Sequence, residues 1–373
     1  MIYADNAATT RLDAEAFEKM KQFLLSDYGN ASQPYSFSRI ARKALKESRK
    51  TIADCIGALP EEIYFTSGGT ESDNWAIKGM MESGDSRITI TSAIEHHAIL
   101  NACDTISRHG YPVTYLPVDK YGVILPATLK KTITDETKLV SIMMVNNEIG
   151  TIEPIHELAE ITHAHGALFH TDAVQAVGHI PIDVKTLGVD MLSASGHKFN
   201  APKGIGFLYI KKGTKIFPYV DGGAQEFGLR AGTENVASIV AMATALKVNC
   251  DNLMNAAKRL GCMEQILLKK LDDAKIDYLR NGADAHLPGN INISIKDTNG
   301  EMLLHRMDLK GICLSTGSAC DSINQQISHV IRAISVPERY ATGTIRISFG
   351  RMNEEKEASI VAQSLIDILK KRI

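Results

Sequence analysis

Nowhere in the 373 residues does an apolar run approach the roughly 20 that a membrane-spanning helix needs. The longest candidates, Leu139 to Val145 and Ile239 to Leu246, read instead as a buried strand and a buried helix. Net charge is equally scarce. The 41 basic and 43 acidic side chains leave −2, which gives no electrostatic case for nucleic acid or an anionic membrane as partner. The six cysteines, Cys55, Cys103, Cys250, Cys262, Cys313 and Cys320, are scattered and form no Cys-x-x-Cys pair. That argues against a disulfide frame or a zinc site, and in a chain this long they read as reduced thiols. The opening Met1-Ile2-Tyr3-Ala4-Asp5 lacks the basic and apolar regions of a signal peptide. The expectation is a cytoplasmic protein with no metal, nucleic-acid or membrane partner.

What remains is a chain of ordinary globular composition, 44% hydrophobic and 23% charged, long enough for one large domain and a smaller one. Strand-like and helix-like runs alternate through its first two thirds. Glu62 to Thr66, Arg87 to Thr91, Pro112 to Leu116, Leu139 to Val145 and Ala167 to His170 are predicted strands, and helical patterns separate them. A parallel sheet covered by helices on both faces produces this rhythm. No fixed repeat period appears, so a solenoid is not expected. Beyond Thr233 the rhythm changes. One long helical pattern, about Ser238 to Leu271, leads into a mixed α+β remainder, and the domain boundary is placed inside that helix, near residue 250.

Polar residues recur where the predicted strands end. Ser67-Gly68-Gly69-Thr70 lies at a strand-to-helix crossing, which suits either an anion site or a plain N-cap. His96 opens a helix, Asn147 follows the run Leu139 to Val145, and Asp172 follows Ala167 to His170, as partner of a protonated ring nitrogen or as a helix cap. Gln175 falls on the same helix face as Asp172. Lys198, in Ser193-Ala194-Ser195-Gly196-His197-Lys198, sits in a turn between two more predicted strands. Alone it reads as a surface charge. Five consecutive strand ends carrying Thr70, His96, Asn147, Asp172 and Lys198 instead describe a site, because open α/β sheets bind ligands at that edge, and a lysine there points to Schiff-base chemistry. In the last third, Cys320 stands in the small polar segment Thr316-Gly317-Ser318-Ala319-Cys320-Asp321, where little would bury a thiol, so it reads as a reactive one.

Taken together, several segments resemble one family. Asp5-Asn6-Ala7-Ala8-Thr9-Thr10, Thr66 to Asn74, Val145 to Gly150, His170 to Gln175, Ser195 to Lys198, Arg230 to Thr233 and Gly317 to Cys320 occur in the order and spacing of the NifS/IscS-type cysteine desulfurases, pyridoxal-phosphate (PLP) enzymes of the class-V aminotransferase type. The resemblance runs from residue 2 to about 370. It implies a type I PLP-dependent transferase fold in the α/β class. Residues 11–250 would form a large domain on a mainly parallel seven-stranded sheet. Residues 1–10 and 251–373 would form a smaller α+β domain carrying the cysteine on a mobile loop.

The implied activity converts L-cysteine to L-alanine and leaves the sulfur on Cys320 as a persulfide. In a homodimer, that sulfur would then pass to an acceptor protein such as an iron–sulfur scaffold. Carried over by position, Lys198 would bind PLP as a Schiff base, Asp172 would pair with its ring nitrogen, His96 would stack on the ring, and Gln175 would bond its phenolic oxygen. Gly69, Thr70, Ser195 and His197 would hold the phosphate, with Thr233 of the second subunit. Arg346 would fork onto the substrate carboxylate, with Asn147 assisting near both the carboxylate and the ring. Ala31-Ser32-Gln33-Pro34-Tyr35 and Asp321 to Ile327 depart from the family's usual wording, and the tail with which some relatives hold a scaffold is not seen after Ile373. A selenocysteine lyase, another class-V PLP enzyme, or a silent scaffold are the alternative readings.

Overall fold

The computed structural model describes residues 1–81, 87–316 and 327–370. In chain order its strands are β1 (Ile2–Tyr3), β2 (Ile63–Thr66), β3 (Ile88–Ser92), β4 (Val113–Leu116), β5 (Thr137–Ser141), β6 (Leu168–Asp172), β7 (Met191–Ser195) and β8 (Gly206–Ile210). After them come β9 (Tyr278–Asn281), β10 (Asn290–Ile295), β11 (Ile312–Cys313) and β12 (Thr344–Ser348). Seven strands form one sheet in the order β2-β8-β7-β6-β5-β3-β4. Only β8 is antiparallel to its neighbours, β2 and β7, whereas β7, β6, β5, β3 and β4 pair in parallel. Because β8 reverses direction between them, β2 runs the same way as β7. The carboxyl ends of β2, β3, β5, β6 and β7 therefore lie on one edge.

The residues of these strands explain the layering. β5, β6 and β7 are buried at nearly every position, as a sheet covered on both faces requires. Helices Ser38–Ile56, Ile155–Ala164 and Val236–Asp251 contribute to the main core with Phe169, Phe199 and Phe207. Trp75, on helix Gly69–Lys78, anchors a further cluster with Ile99, Leu139 and Leu208.

A separate core gathers Leu260, Met263, Leu267 and Leu271 from helix Leu253–Asp273 against Ile291, Ile293, Ile345 and Ile347, on an antiparallel sheet ordered β12-β10-β9. Ala4 belongs to this core, and β1 pairs in parallel with β11, so the start of the chain is tied to its last third.

Two expectations change. The single helix expected from Ser238 to Leu271 is two, Val236–Asp251 and Leu253–Asp273, broken at Asn252 (φ −114°, ψ 6°). The first is buried on nearly all sides, while the second is apolar on one face only, and Asn252 holds the break by donating from its side chain to the carbonyl of Val248. The strand expected at Leu139 to Val145 ends at Ser141. Residues Ile142 to Val145 are buried beyond the end of the strand, where Ile142 and Met144 still donate their N–H groups to the carbonyls of His170 and Asp172 on β6.

Gly206 is a point of close backbone approach. A Cβ there would stand 2.4 Å from the carbonyl oxygen of Ala194 and 2.7 Å from Cα of Gly68. Neither contact can yield by a side-chain rotation. Gly206→Ala is expected to lower stability by about 1–3 kcal/mol, the usual cost of overpacking, read as a shifted midpoint in urea denaturation. An unshifted midpoint would show that the β8–Gly68 contact is looser than it stands here.

Candidate active site

At the shared edge, ten of the expected residues line one cavity of about 370 Å³: Gly69, Thr70, His96, Asn147, Asp172, Gln175, Ser195, His197, Lys198 and Arg346. Each is delivered by a strand end or by the turn that follows it, apart from Arg346, which lies within β12 of the antiparallel sheet.

The glycine loop after β2 is the anion side. Gly68 occupies the N-cap of helix Gly69–Lys78 with φ 151°, a conformation open to glycine and strained for other residues, and no side chain caps the helix. The alternative of a plain cap by Ser67 or Thr70 is thus not what forms. The first-turn N–H groups are left to a ligand, at the positive end of the helix dipole. Ser195 and His197 face the same region and, with Ser67 to Thr70, also border an adjoining opening. His197 is held by Thr9 Oγ1 at 3.1 Å from its Nδ1, and burial, then the charges of Lys198 and Lys203, push its pKa down to about 4.

Lys198 follows β7 in a short 3₁₀ turn, Gly196–Lys198. Its Nζ donates to the carbonyls of Ala7 (2.6 Å) and Ala8 (2.9 Å), while its own carbonyl accepts from His179 Nε2 at 2.9 Å. The turn is further fixed from the N-terminal segment, where Thr10 Oγ1 donates to the carbonyl of His197 at 2.8 Å. Gln175 Nε2 donates to the Ala7 carbonyl as well, at 2.8 Å. The segment Ala7 to Thr10 is thereby a clamp across the lysine.

Opposite lies an acidic group. Asp172 Oδ1 accepts the N–H of Val174 at 2.9 Å. Burial raises this carboxyl to about 6, although the Val174 bond and the Lys198 charge favour its ionised form. Asp73, which also lines the cavity, has one oxygen, Oδ1, with no hydrogen bond, 3.9 Å from His170 Nε2. Burial first, and the neighbouring Asp172 second, hold Asp73 well above the usual carboxyl range. Burial and the nearby carboxylate thus favour the protonated form of Asp73, whereas the Val174 bond and the Lys198 charge favour the carboxylate form of Asp172. His170, fully buried between Ser141 Oγ and Ser193 Oγ, is driven down to about 3 by burial and supplies no positive charge to either.

His96 is at once a cap and a cavity residue. Its Nδ1 accepts the N–H of Ala98 at 3.1 Å, which places the proton of the neutral ring on Nε2. Burial, then Lys198, lowers its pKa to about 4, so the ring is neutral at physiological pH. Arg346 is 2% exposed. Its Nη1 donates to the backbone carbonyl of Asn147 and its Nη2 to Asp5 Oδ1, both at 2.8 Å, while its buried Nε makes no hydrogen bond.

Thr233 is exposed and does not line this cavity in the single chain. Cys320 lies outside the described residues. Tyr35, in the segment of unusual wording, is half exposed. Sequence reasoning did not single out Asp73, Glu148 or Val174, nor give His97 or His329 a role; all five line the cavity. A hint was available for His97, beside His96 in the same turn, but none for Asp73, which falls within a helix whose burial the pattern does not reveal.

These residues suit PLP: an unpartnered helix N-terminus for a phosphate, an ionised buried carboxylate for a ring nitrogen, a neutral imidazole for stacking, and a lysine in one pocket. The family described as Aminotransferase class-V matches residues 2–361. A cysteine desulfurase IscS of Methanosarcina thermophila is 45% identical over 372 residues, 99% of this chain and 92% of that one. One of the same description from Dictyoglomus turgidum is 46% identical, across 99% and 95%. Among solved structures, a NifS-like protein superposes with a TM-score of 0.94 at 36% identity, covering 99% of both chains. A structure of SspA in complex with cysteine gives 0.84 at 34%, across 94% of this chain and 99% of that one.

Proposed function

Since the chain belongs to the class-V aminotransferases, among the cysteine desulfurases, we propose that it is a PLP-dependent cysteine desulfurase that turns L-cysteine into L-alanine and keeps the sulfur on Cys320. The observation that carries this reading is the convergence of Lys198, Asp172, His96 and Arg346 on one cavity beside an uncapped helix N-terminus. The relatives' shared description favours it over a selenocysteine lyase or a silent scaffold.

Lys198 would hold PLP covalently, Asp172 its ring nitrogen, His96 its face and Gln175 its phenolic oxygen. Gly69, Thr70, Ser195 and His197 would take the phosphate, joined by Thr233 from the second subunit of a homodimer. Bound there, PLP supplies an electron sink for bond breaking at the substrate's Cα and Cβ. Arg346 and Asn147 would hold the substrate carboxylate, a group that a planar guanidinium in the cavity wall suits. Lys198, which lines the cavity, would take the substrate's Cα proton on Nζ. His96 keeps its proton on Nε2 in the same cavity. Cys320 attacks the substrate sulfur as thiolate. A sulfur–sulfur bond forms, the carbon–sulfur bond breaks with its electron pair on carbon, and protons complete alanine.

The sulfur would pass next to an acceptor protein. Residues 11–250 would form the large domain, and 1–10 with 251–373 the small one; the separate core that includes Ala4 supports this division. Among the described residues no helix is long and apolar enough to cross a membrane, which fits a cytoplasmic enzyme.

Cys320→Ser tests the reading. The variant is expected to retain the visible absorbance of bound PLP and to lose sulfide release by about a thousandfold, the scale for deleting a nucleophile. Persistent sulfide release would remove Cys320 from the reaction, and a colourless wild type would overturn the cofactor assignment.

A further inference from the structure

The segment that leads to Thr233 is braced against the anion side of the cavity. Glu226 (φ 45°), Phe227 (φ 59°) and Gly228 (φ 80°) lie consecutively in the left-handed region, and nowhere else among the described residues do two such non-glycine residues adjoin. Strain of this kind persists only where the surroundings hold it. Phe227 stays 63% exposed, so burial of its own ring is not what holds the turn. Glu226 holds it. Its buried carboxylate accepts from Arg49 Nη1 at 2.8 Å and Nη2 at 2.7 Å, and from the N–H of Phe65, in β2, at 2.9 Å.

Just beyond the turn, Arg230 makes a second fork. Its Nε and Nη2 donate to Glu71 Oε1 (2.8 Å) and Oε2 (3.2 Å), and Glu71 Oε2 also accepts the N–H of Ser67 at 2.8 Å. Glu71 stands in the first turn of helix Gly69–Lys78. The segment from Glu226 to Arg230 therefore grips the chain on both sides of the glycine loop. Glu226 takes the strand before it, and Arg230 takes the helix after it.

The second grip has an electrostatic consequence. Glu71 borders the same opening as Ser67 to Thr70, Ser195 and His197. A carboxylate in the first turn suits the helix dipole, but it opposes any anion bound at the neighbouring N–H groups. Burial raises the pKa of Glu71, yet the bonds from Arg230 and Ser67 bring it below the usual carboxyl range, so the charge is present. Lys203, also at this opening, is exposed, whereas Arg230 is half-buried and forked directly on the carboxylate. Arg230 lines neither opening itself, so it acts on a bound anion through Glu71.

We propose that Arg230 is a positioning residue for the anion site: by fixing and neutralising Glu71, it allows a phosphate to bind at the glycine loop that this carboxylate would otherwise repel. That the phosphate belongs to PLP rests on the function proposed above; the brace itself does not.

The test strips the full-length enzyme of its cofactor and titrates PLP back by absorbance, with pyridoxal, which lacks the phosphate, as the control. Arg230→Ala should raise the Kd for PLP at least about tenfold, within the range for coupled groups, and that for pyridoxal by less than about twofold. Glu71→Gln keeps an acceptor for the N–H of Ser67 and removes the charge. Added to Arg230→Ala, it should bring PLP binding back to within about threefold of wild type. A purely structural pair would give neither the selectivity nor the rescue. Unchanged PLP binding in Arg230→Ala, equal weakening of PLP and pyridoxal, or a double variant as weak as the single one overturns the proposal. Should Arg230→Ala fail to fold, Glu71→Gln alone decides. It should bind PLP at least as tightly as wild type, and binding more than about threefold weaker overturns the proposal. A wild type that takes up no PLP would sink the cofactor reading only. The same variants are then read with inorganic phosphate by phosphorus NMR line broadening, where loss in Arg230→Ala and return in the double variant support the brace and their absence overturns it.

Discussion

Lys198→Ala is expected to give a folded protein that binds PLP only reversibly and turns over cysteine about a thousandfold more slowly or worse, as loss of the residue that performs covalent chemistry implies. Binding should weaken without vanishing, because the helix N-terminus at Gly69 does not depend on the lysine, and Asp172 keeps its bond from Val174 although it loses the Lys198 charge that favours its ionised form. Borohydride reduction before denaturation separates the two outcomes. Wild type should keep one cofactor per chain through denaturation, and Lys198→Ala should keep none. If the alanine variant retains covalently fixed cofactor, another amine is the anchor. The fold should tolerate the change. Nζ donates to the backbone carbonyls of Ala7 and Ala8, while the turn itself is held by His179 and Thr10.

Arg346→Ala should lose stability as well as function. The guanidinium is almost wholly buried, paired to Asp5 and bonded to the carbonyl of Asn147. Removing one partner of a buried pair costs about 3–5 kcal/mol, because the remaining charge is left without compensation. Urea denaturation should show that loss, and the KM for cysteine should rise as the carboxylate loses its forked donor. Arg346→Lys separates the two effects. It restores charge opposite Asp5 and most of the stability, but a single ammonium cannot bridge Asp5, the Asn147 carbonyl and a substrate carboxylate together, so KM should stay high. A lysine variant with normal KM would show that Arg346 acts through Asp5 on the architecture and not on the substrate.

Much of the site was legible because its polar residues interrupt apolar runs. Thr70, His96, Asn147, Asp172 and Lys198 each stand where a hydrophobic strand stops, and the sheet topology then brings all five to one edge. Arg346 gave no such signal by pattern and was found only by resemblance, since it lies inside a strand of the other sheet. Asp73 was missed because a carboxyl on a short helix looks solvated until the neighbouring sheet covers it. The helix break at Asn252 escaped for a related reason: the helical periodicity continues through it, and only the change from all-round burial to one-sided burial marks it. Thr233 is exposed in a single chain, and its expected place in the site needs a second subunit.

The clamp over Lys198 also bears on the order in which the protein can be made. Ala7 and Ala8 receive the lysine, yet the segment that presents them is fastened elsewhere by Ser348, whose Oγ accepts the N–H of Ala7 across 341 residues of sequence, and by the pairing of β1 with β11. On the ribosome the first residues of the chain must therefore wait for nearly the last. The seven-stranded sheet, complete once Ile210 has emerged, can form long before that. A nascent chain would then display Lys198, Asp172 and His96 without the strap that holds the lysine, and capture of the proposed cofactor would be a late event that follows synthesis.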